Sequence, residues 1–389
     1  MNRHRDARCW ARITSPRIVR QRPDARRKDH RRTSDPSPRA LRRPEGVRSN
    51  TVTWSPPDKY IWDFWFARRG SELHLFFLQA SRRECGDDPE RRHDLASVGH
   101  AVWTSRGWKE IGPHPALRRA EGRAWDNTSI WTGSIIRNSA TGLYTMLYTS
   151  RCAEDAPVWT PRGKFRPQHI GAAVSPDVIS WRRTATSRRR PVIPNPGKQS
   201  GWDGVNWRDP YLVRGRDGLF YAFISTRRAD APPDSGGAIV YLTSPDLERW
   251  SAAPRVLIAS TEFYQMEVPQ VFTAPMGDHR RLCLLFSAQA EDCAAGRRQR
   301  LPQNQCRTGT YYLVSSPIGR PANGFPPLEE PARLLAPGWY GGKIVKMGGR
   351  AVFFGFRWED ARGRFVGGLS DPLPVRFDAQ GSIHVLEEV

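Results

Sequence analysis

A chain of 389 residues, 38% of them hydrophobic, is long enough for one large β domain or two ordinary ones, and no stretch approaches the ~20 consecutive apolar residues of a membrane span. The net charge of +22 would argue for an acidic partner if it covered a folded surface, but residues 1–50 hold sixteen Arg or Lys against five Asp or Glu, half of the excess. Six cysteines, with no CxxC pair and no His at zinc spacing, give no basis for a structural metal, and neither a metal nor a cofactor is expected.

In chain order, the first segment is residues 1–50, rich in Arg, Pro and Ser and nearly free of aliphatic runs. Such a composition buries too little apolar surface to offset the entropy of ordering, so a disordered tail is expected there. A nucleic-acid tether is the functional reading of its charge. No groove-reading motif follows, so a solvated tail or a start site placed too far upstream is preferred, and nucleic acid is not the expected partner. No apolar signal core is visible either, which favours the cytoplasm unless the start is misplaced.

From residue 51 to 389 a single domain is expected, organised by an internal repeat. Five aromatic and aliphatic runs recur about every seventy residues: Glu72–Gln79, Gly142–Thr149, Gly218–Ser225, Arg281–Ser287 and Arg350–Phe356. Each is short, rich in Phe, Tyr, Leu and Val, and bounded by turn residues, as a buried strand is. Each is followed by a second run (98–105, 171–177, 238–246, 310–316 and 366–371), and three of these lead to a Trp: Trp108, Trp181 and Trp250. Each is preceded by a third: 62–67, 131–137, 207–213, 267–272 and 340–345. Three strands per unit, five units and almost no helical periodicity predict an all-β, five-bladed β-propeller whose leading strands line the axis. A β-sandwich does not naturally yield five evenly spaced units.

The leading strands then bring their first residues to one mouth of a central funnel. Asp63 lies in the first, Arg208 and Asp209 in the third and Glu267 in the fourth, while the second and fifth begin Trp131-Thr132-Gly133-Ser134 and Trp339-Tyr340. Three carboxylates, an Arg and a ring of Trp and Tyr suit a sugar: aromatic faces stack on apolar sugar faces, and charged groups bind hydroxyls. Asp63, Asp209 and Glu267 are the catalytic candidates, because glycoside cleavage uses one carboxylic acid to protonate the leaving oxygen and a second to attack or to activate water. Trp62, Trp131, Ser134, Arg208 and Tyr340 are substrate-binding candidates. Gln79 joins them, either reaching the funnel as a hydroxyl partner or simply ending its strand. His100 and His169 have no ligand spacing and read as structural.

These residues resemble glycoside hydrolase families 32 and 68, the invertases, fructanases and levansucrases. Trp62-Asp63-Phe64-Trp65 is similar to the Trp-Asp-x-Trp nucleophile strand of the levansucrases, Trp131-Thr-Gly-Ser134 to a Trp/Phe-Ser-Gly-Ser strand seen in both families, and Arg208-Asp209-Pro210 to their shared Arg-Asp-Pro. Glu267-Val-Pro269 stands where the invertases have Glu-Cys-Pro, and His74–Gln79 is similar to their His-Leu-Phe-Tyr-Gln run. The resemblance covers roughly residues 54–375. It implies a five-bladed propeller and a retaining reaction on fructofuranosides, with Asp63 as nucleophile, Glu267 as acid/base, and Asp209 with Arg208 holding the fructosyl ring. The invertase Asn-Asp-Pro-Asn motif is missing, Trp-Gly-His reads Val98-Gly99-His100, and the chain ends before the C-terminal β-sandwich typical of family 32, so a divergent, propeller-only relative is expected.

Two other readings remain at this point. One is an inverting arabinanase or xylosidase type resembling family 43; the other is a carbohydrate-binding propeller that needs the aromatics but not the acid pair. Cys283 reads as a core residue, while Cys293 and Cys306 flank a polar, Arg-rich loop across which they either pair or stay free. Oligomeric state leaves no mark in the sequence.

Overall fold

The structure, a computed structural model, describes residues 52–318 and 324–386. The tail of residues 1–50, with Cys9, lies outside the described residues. No helix among them is long and apolar enough to cross a membrane.

Five antiparallel sheets follow one another along the chain; four pair their strands in sequence order, one of them around an inserted hairpin, and in the last the second strand pairs two later pieces. Their first strands are Lys59–Arg69, Ile130–Arg137, Trp202–Arg214, Glu267–Met276 and Trp339–Met347. Each of these packs against the first strands of the sheets before and after it, the last against the first, so the five form a closed ring around an axis. The sheets are the blades of a five-bladed propeller, numbered I to V here, and the expected leading strands are its inner strands.

The second strands (Glu72–Ser81, Tyr144–Arg151, Phe220–Arg228, His279–Ala288 and Arg350–Glu359) are buried along most of their length, the last over Val352–Phe356. Having a blade face on each side, they carry continuous apolar runs instead of an alternation. Outside them, blades II and III turn on Ser-Pro-Asp: Asp177 Oδ1 accepts the amides of Ile179 and Ser180, and Asp246 Oδ1 those of Glu248 and Arg249. In blade II the turn is also where the anchoring Trp docks, Trp181 Nε1 donating to the Val178 carbonyl at 2.9 Å.

Blade V departs from the expected pattern. In place of one third strand over 366–371, Phe365–Gly367 pairs with the far end of Arg350–Glu359, and Leu373–Phe377 pairs nearer its start, at Val352 and Phe353. Gly367 and Gly368 both take positive φ, 72° and 78°, and break the strand between them. The short piece Leu369–Ser370 pairs instead with Val52–Trp54, so the earliest described strand is laid onto the last blade. Cys283 is fully buried in the core. Cys293 and Cys306 pack in one cluster as free thiols.

Candidate active site

Each inner strand carries a bulge at the same level. One extra residue is inserted between Trp62 and Phe64, Trp131 and Gly133, Arg208 and Tyr211, Glu267 and Gln270, and Tyr340 and Lys343. A bulge bends its strand and re-aims a side chain. Four of the five turn through positive φ: Asp63 at 29°, Asp209 at 57°, Val268 at 51° and Gly341 at 63°. The bulges create two tiers. Trp62, Trp131, Arg208, Glu267 and Tyr340 form the upper one, and the next residue of each strand forms the lower: Asp63, Thr132, Asp209, Val268 and Gly341. Asp63 and Asp209 are therefore equivalent, whereas Glu267, expected at the same position, stands one residue above them.

All three carboxylates line one cavity of about 600 Å3 on the propeller axis, within the roughly 300–1,000 Å3 typical of small-molecule sites. Arg208 ties the tiers together. Its guanidinium donates to Glu267 Oε1 and to Gln265 Oε1, both at 2.8 Å, and lies 3.6 Å from Asp209 Oδ2. Tyr340 donates its hydroxyl to the other oxygen of Glu267. Below, Thr132 donates to Asp63, and Asp209 accepts the Val268 amide at 2.9 Å. Lys343, buried just past the blade V bulge, donates to the Val268 carbonyl at 2.7 Å.

Burial pushes the Asp63 carboxyl up to about 7, with Asp209 and then Glu267 adding to the rise against the Thr132 hydroxyl and Lys343. Burial likewise raises Asp209 to about 6, opposed chiefly by Arg208. Lys343 is lowered by burial to about 7, against the pull of Asp63 and Asp209. Burial and Glu267 lift Tyr340 well above the usual phenol value, so it remains a neutral donor. Burial alone would lower Arg208, but Glu267 and Asp209 raise it. Three acids crowded against one fixed cation, two of them poised near neutrality, are arranged for acid–base and nucleophilic work.

Trp62, Trp131 and Tyr340 line the cavity as expected. Two candidates do not. Ser134 is buried between blades II and III, donating to the Pro210 carbonyl at 2.7 Å and accepting the Leu212 amide at 2.9 Å. It shapes the Arg-Asp-Pro bulge from behind, because the extra residue Thr132 has shifted the alternation beyond it. Gln79 lies inside its strand, which runs on to Ser81, opposite Ile61 and Ser97 and outside the cavity lining. His100 bonds His74 at 3.0 Å and His169 bonds Asp155 at 3.0 Å, both away from the cavity.

Sequence reasoning missed Thr132, Lys343 and a polar support around Arg208. Gln168 Oε1 accepts from Arg208 at 3.2 Å, and Asn206 accepts from the same guanidinium. Thr132 had a signal, since it follows Trp131 as Asp63 follows Trp62. Lys343 had none, because a lysine in a strand reads as solvent-facing.

No family model and no curated protein matches this chain. Solved structures do. It shares its fold with a family 32 β-fructofuranosidase of Bombyx mori, with a TM-score of 0.58 at 17% identity over 86% of this chain and 65% of that one. A Bacillus subtilis levansucrase solved with oligosaccharides aligns with a TM-score of 0.60 at 15% identity, over 90% and 91% of the two chains. A thermostable family 43 glycoside hydrolase aligns with a TM-score of 0.58 at 13% identity, over 88% of this chain and 97% of that one. The chain spans about 65% of the length of the Bombyx mori enzyme. Identities this low establish the propeller fold that these glycosidases share.

Proposed function

We propose that this cavity is the active site of a retaining glycoside hydrolase or transglycosylase acting on fructofuranosides. Asp63 attacks the anomeric carbon while Glu267 gives its proton to the departing glycosidic oxygen, leaving a fructosyl ester on Asp63 and a free alcohol. Glu267, now ionised, then takes a proton from water or a sugar hydroxyl, whose oxygen displaces Asp63 and releases the product. Asp209, an acceptor beside Asp63, binds ring hydroxyls and steadies the positive charge that develops at the anomeric carbon. Arg208 and Tyr340 hold Glu267 in place. The carrying observation is that bulges on two inner strands aim Asp63 and Asp209 into one cavity, while a third strand presents Glu267 a tier above, bonded to the Arg of the same Arg-Asp-Pro.

The family 43 alignment, which accounts for nearly the whole of that chain, supports a second reading: an inverting arabinanase or xylosidase type in which the same acids activate water directly. Product analysis separates the two. Incubated with sucrose, inulin-type and levan-type oligosaccharides, the wild-type protein releases or transfers fructose, and Asp63→Asn loses that turnover by at least about a thousandfold. No turnover of any fructoside sinks the fructosyl assignment, and cleavage of arabinosides or xylosides instead establishes the second reading. Oligosaccharide binding without turnover, equal in the wild type and Asp63→Asn, identifies a binding propeller, and turnover undiminished in Asp63→Asn removes Asp63 as the nucleophile.

A further inference from the structure

Where blades I and IV carry short helices between their second and third strands, blade II carries a strand hairpin. Between its second and third strands the chain forms a small hairpin, Val158–Thr160 paired with Gly163–Phe165. Its tip is fastened across the mouth of the cavity. Arg162 donates to the buried Asp292 at 2.6 Å and to the Glu291 carbonyl at 3.2 Å, and its guanidinium lies 3.8 Å from the centre of the Tyr264 ring. Asp292 also accepts the Gln289 amide at 2.7 Å, so the anchor is itself fixed. At the base, Lys198 donates to the Trp159 carbonyl at 2.8 Å. The hairpin is thus pinned at its tip and along its first strand.

What it presents is unusual for this molecule. Trp159 and Phe165, 67% and 48% exposed, are the exposed aromatic side chains among the described residues, and both lie on this hairpin. Strand alternation sends them to opposite faces. Phe165, with Thr160 and Arg162, faces the cavity, while Trp159 faces away beside Lys164. The other aromatics of the folded body are packed away, so a flat apolar ring left open at a cavity mouth, on a braced support, has the form of a stacking platform.

We propose that the hairpin 158–165 is a platform for sugar units extending past the cavity, with Phe165, on its cavity face, stacking the first of them, so that the preferred substrate or acceptor is an oligosaccharide longer than a disaccharide. The identity of the sugar rests on the fructosyl reading; the platform does not.

The test compares kcat/KM for sucrose and for inulin-type tri- and tetrasaccharides in the wild type, Phe165→Ala, Phe165→Leu and Trp159→Ala. The wild-type ratio of tetrasaccharide to sucrose exceeds one. It falls about three- to tenfold in either Phe165 variant, the loss expected for one aromatic stacking contact, and Trp159→Ala, on the far face of the hairpin, leaves it unchanged. Ratios that do not change in the Phe165 variants overturn the platform. Should the wild type act on no fructoside, calorimetric titration of the same variants with fructo-, arabino- and xylo-oligosaccharides of two to five units decides independently. Affinity that grows with length and drops in Phe165→Ala keeps the platform while the fructosyl reading fails, and affinity independent of length in every series overturns it.

Discussion

At Asp63 two unfavourable features coincide: a non-glycine residue at φ 29° and a buried carboxyl pushed up to about 7. Strain and burial of this kind survive only where the surroundings enforce them. Lys343 moderates the second, since its charge faces both Asp63 and Asp209 from blade V, with Glu267 and Arg208 completing the charged set. The sign of its removal follows. A nucleophile must be ionised, so activity falls as pH drops through the Asp63 pKa, and deleting a nearby cation raises that pKa. Lys343→Met therefore moves the acid limb of the kcat/KM profile upward by about one pH unit, whereas Lys343→Arg leaves it near its wild-type position. A limb that stays put in Lys343→Met removes Lys343 from the electrostatics of the site. The acids themselves were legible in the sequence because Asp, Glu and Arg at strand starts have no packing reason to be there. Lys343 was not, because nothing local distinguishes a lysine buried against a neighbouring blade from one in solvent.

Among the elements, the inner strand is the unit of construction, and its bulge sets which tier a residue joins. Strand ends were legible from apolar runs and turn residues, and the five inner strands fall where the sequence puts them. The bulges were not legible, since one extra residue leaves the apolar run intact while reversing the facing of everything after it. That is why Ser134 reads as a cavity residue and is instead a buried brace, and why Thr132 was overlooked. In blade V the bulge depends on Gly341. Its φ is 63°, a Cβ there would come within 2.9 Å of the Phe356 ring, and its amide donates to Ser287 Oγ at 2.9 Å. Gly341→Ala has to shift the strand, and with it Tyr340, the hydroxyl partner of Glu267. The expected result is a kcat reduced about ten- to a hundredfold with an unchanged far-UV circular dichroism spectrum and a melting temperature only a few degrees lower. Near wild-type kcat would show that the tier of Glu267 is set by blade IV alone.

For the whole molecule, the repeat was legible because every blade must solve the same problem of burying a central strand on both faces. The walls of the cavity were not, because they come from what is inserted between the repeats. The segment 82–95 brings Glu90 and His93 to the rim, the hairpin 158–165 brings Arg162 and Phe165, and the turn at 289–292 brings Gln289 and Glu291. These pieces are polar, short and without periodicity, and their positions are fixed by long-range bonds such as Arg162 to Asp292, which join residues 130 positions apart. Ring closure is a property of the same scale. The pairing of Val52–Trp54 with Leu369–Ser370 ties the start of the described chain to blade V, Trp54 packs edge-on against Phe77 of blade I at 5.1 Å, and Ser370 Oγ accepts the Gly355 amide at 3.1 Å. The clasp thus joins the two blades that sequence order leaves unconnected, and losing it opens the one seam of the ring that no peptide crosses. Removing residues 1–50 takes away half of the net charge but spares the clasp, so the melting temperature stays within about 2 °C of the full chain. Removing residues 1–54 deletes the clasp and lowers it by about 5 °C or more, with the acid cluster losing activity as blades I and V separate at the axis, where Asp63 meets Gly341. Equal melting temperatures for the two truncations would mean that packing between the inner strands of blades V and I closes the ring unaided.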